Sequence, residues 1–333
     1  MPSRGRLLKI LLGLAVSAGL VVYLFSRADL SAIGARLADT HWGFLAASSA
    51  LNLGSLWARS RRWGYLFPPG ARPSGLFNAV MIGYMANNLL PLRAGEVVRA
   101  YVATRRGQRF WTTVTTMVVE RVLDGLAIGL LLASLFLLIS IPRDLEWAAL
   151  VFLSVDLVLL ALLGVFALAP ARCKRLVRIL ARGRPALAAR AERLLDTFDV
   201  GLAGLRAPRH LLPMIAWSCA IWGALVVSIW AGFRAARLDH LPLAAAWTTL
   251  GFLGLGVSLP SSPGFVGVVQ AAVVTALRLF DVPYDDALSF SLLLHVSQFV
   301  PITVWGLVLL FIEHVSLAEA VRARSDPPET TGV

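Results

Sequence analysis

Leu90-Pro91-Leu92-Arg93-Ala94-Gly95-Glu96 and Leu259-Pro260-Ser261-Ser262-Pro263-Gly264-Phe265 interrupt two apolar tracts that otherwise read as helix. In each, a Leu-Pro pair is followed by glycine four residues after the proline: Pro91 to Gly95, and Pro260 to Gly264 with Pro263 between them. Proline removes a backbone donor and clashes with the preceding turn, while glycine admits conformations that other residues resist. Breaks at corresponding positions of two hydrophobic halves point to a transporter site built from discontinuous helices. The two stretches therefore predict an inverted repeat whose helix breaks lie at Pro91, Gly95, Pro260, Pro263 and Gly264.

Composition sets the solvent. The 333 residues are 58% hydrophobic and only 15% charged, with a mean hydropathy of +0.74; soluble domains carry about 25% charged residues. Apolar runs such as 10–25 and 151–169 reach or approach the roughly 20 helical residues that cross a hydrocarbon core. The fold class is all-α, a polytopic membrane protein. Net charge is +12, and the basic residues sit between apolar spans. That pattern marks cytoplasmic loops and anionic lipid surfaces, so membrane lipids and no nucleic acid are the expected partners. Cys173 and Cys219 show neither metal-ligand spacing nor a disulfide framework.

Arg4, Arg6 and Lys9 precede the run 10–25, which reads as an uncleaved first span. A second span over about 42–56 ends in Arg59, Arg61 and Arg62, an end expected in the cytoplasm. The tract 77–92 is short and interrupted. Arg93, Arg99, Arg105, Arg106 and Arg109 follow it, so the positive-inside bias favours a re-entrant hairpin over a crossing. A long helix over 112–141, a turn at Pro142-Arg143-Asp144 and a span over 147–169 come next. The segment 172–209 is basic, and Leu187, Leu194, Phe198, Leu202 and Leu205 give it an amphipathic helix for the inner membrane surface. A span over 211–233, a second hairpin from 243–259 and 265–279, and a span over 287–312 complete the count. The expectation is six full spans and two re-entrant hairpins in one transmembrane domain, 1–320. The repeats run over about 75–141 and 244–313 in opposite orientation, and 321–333 is a disordered tail. Both termini are expected in the cytoplasm of a cell inner membrane.

Polar residues inside the apolar tracts are the candidate site. Glu120 and Asp124 share a helix face, and Arg121 reaches Asp124 at a three-residue offset. They lie either at the wet end of their helix or inside the bundle, where charges face a cavity or a partner. Arg93, Glu96 and Arg99 flank the first break; arginine forks suit phosphate, and Glu96 has a partner in Arg99 or Arg121. In the second half Gln270, His295 and Gln298 are polar, the last two on one face. Asp156 is an acid within an apolar span, at a helix contact or facing a cavity. No nucleophile elbow, Walker loop, metal motif or nucleotide fingerprint occurs. The expectation is no enzyme, no metal and no cofactor.

The ordered set Asn88-Leu89-Leu90-Pro91-Leu92-Arg93-Ala94-Gly95-Glu96 with Arg99, then Glu120-Arg121-Val122-Leu123-Asp124, then Ser262-Pro263-Gly264-Phe265-Val266-Gly267-Val268-Val269-Gln270 resembles the lysylphosphatidylglycerol synthase transmembrane-region family of flippase-like membrane proteins. The resemblance spans nearly the whole chain. It implies a lipid-handling membrane protein, in the best-understood branch a flippase for aminoacylated phosphatidylglycerol. Gln270 and Phe265 stand where the family motif usually has Glu and Gly, which leaves the cargo open. The sequence ends at Val333, so the resemblance implies the flippase-like part without the aminoacyl-transferase domain. The expected function is movement of a phospholipid, an aminoacyl-phospholipid or a related lipid between leaflets, with lipid-synthesis enzymes as further partners. The alternatives are an ion-coupled small-solute transporter and an integral-membrane transferase acting on a lipid-linked substrate. Lipid identity, direction, energy source and oligomeric state do not follow from the sequence.

Overall fold

The computed structural model describes residues 15, 18–71, 73–138, 143–180, 191–192, 195–196, 198–258 and 262–322. Pro260, Pro142, Leu187, Leu194 and the tail from 323 onward lie outside the described residues, as does most of the run 10–25 before residue 18. Among the described residues the secondary structure is helical throughout. The helices are α1 (Ala18–Phe25), α2 (Leu30–Ala38), α3 (Trp42–Leu66), α4 (Leu76–Leu89), α5 (Gly95–Arg105), α6 (Phe110–Leu138), α7 (Arg143–Leu168) and α8 (Pro170–Leu180). They continue with α9 (Ala203–Arg206), α10 (Pro208–Ala235), α11 (Leu243–Ser258), α12 (Val268–Arg278), α13 (Tyr284–Ile312) and α14 (Leu317–Arg322).

Among the described residues three segments are long and apolar enough to cross a membrane: Ala149–Leu168, Pro208–Ala235 and Tyr284–Ile312. The first is mostly exposed and turns Val151, Val155, Val158, Leu162 and Val165 outward, as a lipid-facing helix does. The pair α1 and α2 passes the same test together but is bent by 91°. Two further helices have the length and carry charged residues. α3 has 25 residues and carries Arg59, Arg61 and Arg62; α6 has 29 and carries Glu120, Arg121 and Asp124. α3 runs ten residues beyond the expected end of the second span, and this extension buries two of its arginines.

Among the described residues the most extensive helix pairing is α3 against α10. Small side chains make it close: Ser228 Oγ donates to the Ser48 carbonyl at 2.8 Å and meets Ser48 Oγ at 3.2 Å. Helices α4 and α5 form a hairpin, as do α11 and α12. At 14 and 16 residues, α4 and α11 are about 21 and 24 Å long, short of the roughly 30 Å hydrocarbon core. Each hairpin has its own core. Trp63, Phe67, Val80, Met81, Met85 and Val98 pack around the first; Phe233, Leu250, Val273, Leu277, Phe290 and Leu294 around the second. The first hairpin closes through glycine. A Cβ on Gly95 would overlap the Gly83 carbonyl, and one on Gly83 would stand 2.8 Å from the Arg99 Cβ.

The basic segment is helical over α8, whose Lys174 and Arg178 pair with Asp196 at 2.6 Å and Glu192 at 2.9 Å. At the other end, α14 lies against α5, with Tyr101 Oη donating to Glu319 at 3.4 Å.

Candidate functional site

Both hairpins turn through the same 3-10 conformation and diverge after it, where Ala94 is helical and Val266 is extended. After an extended residue, Leu90 or Ser262, a single 3-10 turn runs Pro91–Arg93 in the first and Pro263–Phe265 in the second. The φ angles are 60° and 53° at Leu92 and Arg93, and 69° and 59° at Gly264 and Phe265. The next helix starts at Gly95 and just after Gly267. The matching register is therefore Pro91-to-Gly95 with Pro263-to-Gly267. The sequence pairing of Pro91-to-Gly95 with Pro260-to-Gly264 was three residues off in the second half, because both prolines there precede a glycine by four positions.

The two turns touch one another. Arg93 donates from Nη2 to the Val257 carbonyl in the last turn of α11, where free carbonyls and the helix dipole favour a cation. Asn87 Oδ1 accepts the Gly95 N–H at 2.9 Å and so bridges the first break. Asn88 Nδ2 donates to Thr303 Oγ1 at 2.9 Å and ties that break to α13.

Behind the first break lies a buried ion network. Arg99 makes a fork to Glu120, Nη1 to Oε1 at 3.0 Å and Nη2 to Oε2 at 2.7 Å, and its guanidinium lies 3.8 Å over the Trp63 ring. Arg59 donates to Glu120 at 3.2 Å and also to Asp124. Arg62 donates to Asp124 Oδ1 at 2.6 Å and to Ser218 at 3.2 Å. Arg121 pairs with Glu96 at 3.0 Å and stands 3.8 Å from Asp124. Glu120, Arg62 and Arg99 are each at most 1% exposed, whereas the Arg121 side chain is 42% exposed. Four arginines thus meet three carboxylates and leave one positive charge over. Such a network holds together only when each member is paired, because a lone charge in this setting is costly.

The second break is backed by neutral groups. Gln270 accepts the Gly267 N–H on Oε1 at 2.7 Å and donates to His295 Nδ1 at 2.9 Å. The His295 ring also hydrogen-bonds the Gly264 backbone and sits edge-on to Phe299. His295 is a connector that holds the turn in place.

Between the breaks is a cavity of about 510 Å3. Arg59, Arg93, Arg121, Glu96 and Asp124 line its charged side; Gly264, His295 and Gln298 line the other. Asp156, Trp222, Asn52 and Asn87 are also in its wall. Of the sequence candidates, Arg93, Glu96, Arg121, Asp124, His295 and Gln298 come together here. Arg99, Glu120 and Gln270 stand behind the wall and position what lines it. Pro91, Gly95 and Pro263 shape the turns. The expected pairing of Asp124 with Arg121 is secondary, since Arg59 and Arg62 hold that carboxylate directly.

Arg59 and Arg62 are the members that sequence reasoning missed. Arginines after an apolar run read as a topology signal at the end of a span. The signal that finds them is the polar stripe Ser48, Asn52, Ser55, Arg59, Arg62, spaced four, three, four and three residues apart along α3 and buried in full. Of the three arginines on α3, only Arg61, off that face, is exposed.

Comparison with known proteins follows the same lines. The sequence model of the lysylphosphatidylglycerol synthase TM region matches residues 10–306. The UPF0104 membrane protein MJ1078 of Methanocaldococcus jannaschii is 24% identical over 235 residues, covering 68% of this chain and 93% of that protein. No solved structure gives a significant match.

Proposed function

We propose that this chain, which belongs to the lysylphosphatidylglycerol synthase TM-region family and is an integral, multi-pass membrane protein, is a lipid flippase. It moves the phosphate-bearing headgroup of a membrane lipid between leaflets while the acyl tails stay in hydrocarbon. The observation that carries this reading is the meeting of Arg59, Arg93 and Arg121 in one cavity walled by both helix breaks. Arginine forks bind phosphate through paired, charge-assisted hydrogen bonds. The surplus positive charge of the network leaves room for one anion. Arg121 is the residue to meet it, being half exposed and held by Glu96 alone at hydrogen-bond distance.

In this reading 75–141 and 244–313 are an inverted repeat whose re-entrant hairpins meet near the bilayer midplane, beside six full spans. The protein lies in the cell inner membrane with both termini in the cytoplasm. Backbone groups freed at the breaks face the cavity, the one place at that depth where irregular backbone is tolerated. Arg93, Glu96, Arg121 and Asp124 contact the headgroup, and Arg99, Glu120, Gln270 and His295 hold the walls.

Leaflet exchange of fluorescent phospholipids in liposomes containing the purified protein tests this. The parent accelerates exchange of an anionic phospholipid over protein-free liposomes. Arg121→Gln slows it by about tenfold or more, as expected for loss of a charge-assisted hydrogen bond, while stability falls by no more than about 1 kcal/mol, because Arg121 and Glu96 are both part-exposed. A well-folded parent that exchanges no phospholipid faster than empty liposomes sinks the reading.

A further inference from the structure

Helix α8 carries its cations on two faces that the fold treats differently. Lys174 and Arg178, one turn apart, pair with Asp196 and Glu192 of the following segment. Arg172, Arg175, Leu176 and Ile179 follow offsets of three and four and so share another face. All four are exposed, Leu176 at 57% and Ile179 at 46%. The apolar stripe that the sequence assigns to the membrane surface lies farther along the chain, and the structure turns part of it inward. Leu202 is fully buried, and Phe198 and Leu205 pack against the same core.

Charge restricts what the exposed face of α8 can meet. Between 170 and 209 the chain has ten basic residues and three acids, Glu192, Asp196 and Asp199. Each acid is already held by a cation, the last by Arg206. Arg172 and Arg175 have no acidic partner among the described residues. Two unpaired arginines beside two large apolar side chains suit a surface that is anionic in its outer layer and apolar beneath.

Position supplies that surface. Helix α8 begins one residue after α7, whose outward stripe ends in Val165 and in Leu168, itself 86% exposed. Ala169 N–H donates to the Val165 carbonyl and Cys173 N–H to the Ala169 carbonyl, so helical register passes across the junction. The same spacing therefore runs from Val165 and Leu168 on to Arg172, Leu176 and Ile179. Pro170 removes the N–H that would continue α7 and lets the chain bend there. Arg172 stands about 6 Å past Leu168 along the axis, within a headgroup layer that is roughly 5–7 Å thick on each side of the hydrocarbon.

We infer that α8 docks on the headgroup layer at the end of α7 through Arg172, Arg175, Leu176 and Ile179, with anionic phospholipids as its ligands. The arginines meet lipid phosphates, and the two apolar side chains enter just beneath them. This surface uses no residue of the central cavity, so it stands or falls apart from the flippase reading.

The full chain in nanodiscs tests it, with Cys173→Ser and Cys219→Ser removing the native thiols. A bimane label is attached at Leu176→Cys or, separately, at Ile179→Cys, so that the result does not hang on one lost side chain. Its quenching by phosphatidylcholine spin-labelled near the headgroup is read in discs of phosphatidylcholine alone and in discs that also hold phosphatidylglycerol or phosphatidylserine. Both anionic lipids should raise the docked-to-free ratio. Arg172→Gln and Arg175→Gln should each lower it about fivefold, the worth of one basic residue at an anionic surface. Together they should return it to the value in phosphatidylcholine, as should raised salt. Both arginines are exposed and unpaired, so in detergent the thermal midpoints of the variants should match the parent's.

A label that the spin-labelled lipid quenches in no disc overturns the inference and leaves this face to water or to a partner protein. Equal quenching in every disc and in both arginine variants overturns the anionic ligand, since apolar insertion alone then holds the helix. A response to only one of the two anionic lipids overturns recognition by charge in favour of a headgroup-specific site.

Discussion

The turn at Pro91–Arg93 and the turn at Pro263–Phe265 share one backbone path over their three residues on opposite chemistry. The second uses Gly264 at the first left-handed position; the first uses Leu92. A left-handed residue with a side chain costs roughly 1–2 kcal/mol, and such strain survives only where the surroundings over-determine it. The surroundings differ accordingly. Behind the first turn stand Arg99, Glu120, Arg59 and Asp124 in mutual ion pairs; behind the second stand Gln270 and His295, joined by one neutral hydrogen bond. Charge backs the half with two strained side chains, Leu92 and Arg93, whereas Gly264 leaves the other half only Phe265.

The largest effect should come from unpairing that charge. Arg99→Ala leaves Glu120 buried without its fork and is expected to cost about 3–5 kcal/mol. Gln270→Ala removes two neutral hydrogen bonds, to Gly267 and His295, and should cost about 2–3 kcal/mol. Thermal unfolding of the variants in one detergent compares them, and equal losses would dissolve the contrast. Arg99→Met combined with Glu120→Leu should recover most of the loss, since replacing a buried pair by apolar groups is often neutral.

The backbone comes next. Gly264→Ala would place a Cβ 2.7 Å from the Phe299 ring at a φ of 69°, for an expected loss of about 2–4 kcal/mol. Leu92→Gly relieves strain but loosens the unfolded chain, so its midpoint should stay within about 1 kcal/mol of the parent. A large loss for Leu92→Gly would mean that the leucine side chain, rather than the network behind it, holds the first turn.

These contrasts also show what the sequence could tell. The breaks were legible because proline and glycine act locally, and Glu120 with Asp124 because an offset of four always shares a helix face. The register of the second break was not. Pro260 and Pro263 each precede a glycine by four residues, and only the sign of φ separates them. Arg59 and Arg62 were obscured by a rule that is sound on average, that arginine after an apolar run marks a cytoplasmic end. Of the six expected spans, the apolar stretches over Ala149–Leu168, Pro208–Ala235 and Tyr284–Ile312 have the required length and composition. α3 departs from the apolar pattern because it carries Arg59 and Arg62 of the ion network, whereas α6 carries Glu120, Arg121 and Asp124 on an otherwise apolar helix. The seat of Asp156 against Gly125 was out of reach because no offset along α7 reveals a glycine on its neighbour.

The smallest effect concerns the outer edge of the charged half. Glu313, just past α13, accepts from Asn78 Nδ2 at 2.6 Å and pairs with Arg106. Partial burial pushes its carboxyl up, but the hydrogen bonds from Asn78 and Arg106 outweigh this and hold it below the usual value. A lowered folded-state pKa gives stability that is complete above the unfolded value, about 4.3, and is lost as pH falls through the folded one. Amide exchange at the start of α4, corrected for its intrinsic rate, should be flat from about pH 7 to 5 and rise below about pH 4. Glu313→Gln should lack that step; a step that persists in it assigns the transition to another group.

The reach from Arg93 to Val257 has a consequence for how the chain is made. The first break is written by residue 95, yet its partners Val257, Phe299 and Thr303 lie 164, 211 and 215 positions along the chain from the groups that bond them. A nascent chain emerging from the ribosome holds an arginine and an asparagine at an open turn until its final third has been synthesised. Closure of the first half is thus an event of late assembly, and a chain stopped before Val257 carries that turn without the carbonyl that Arg93 meets in the finished protein.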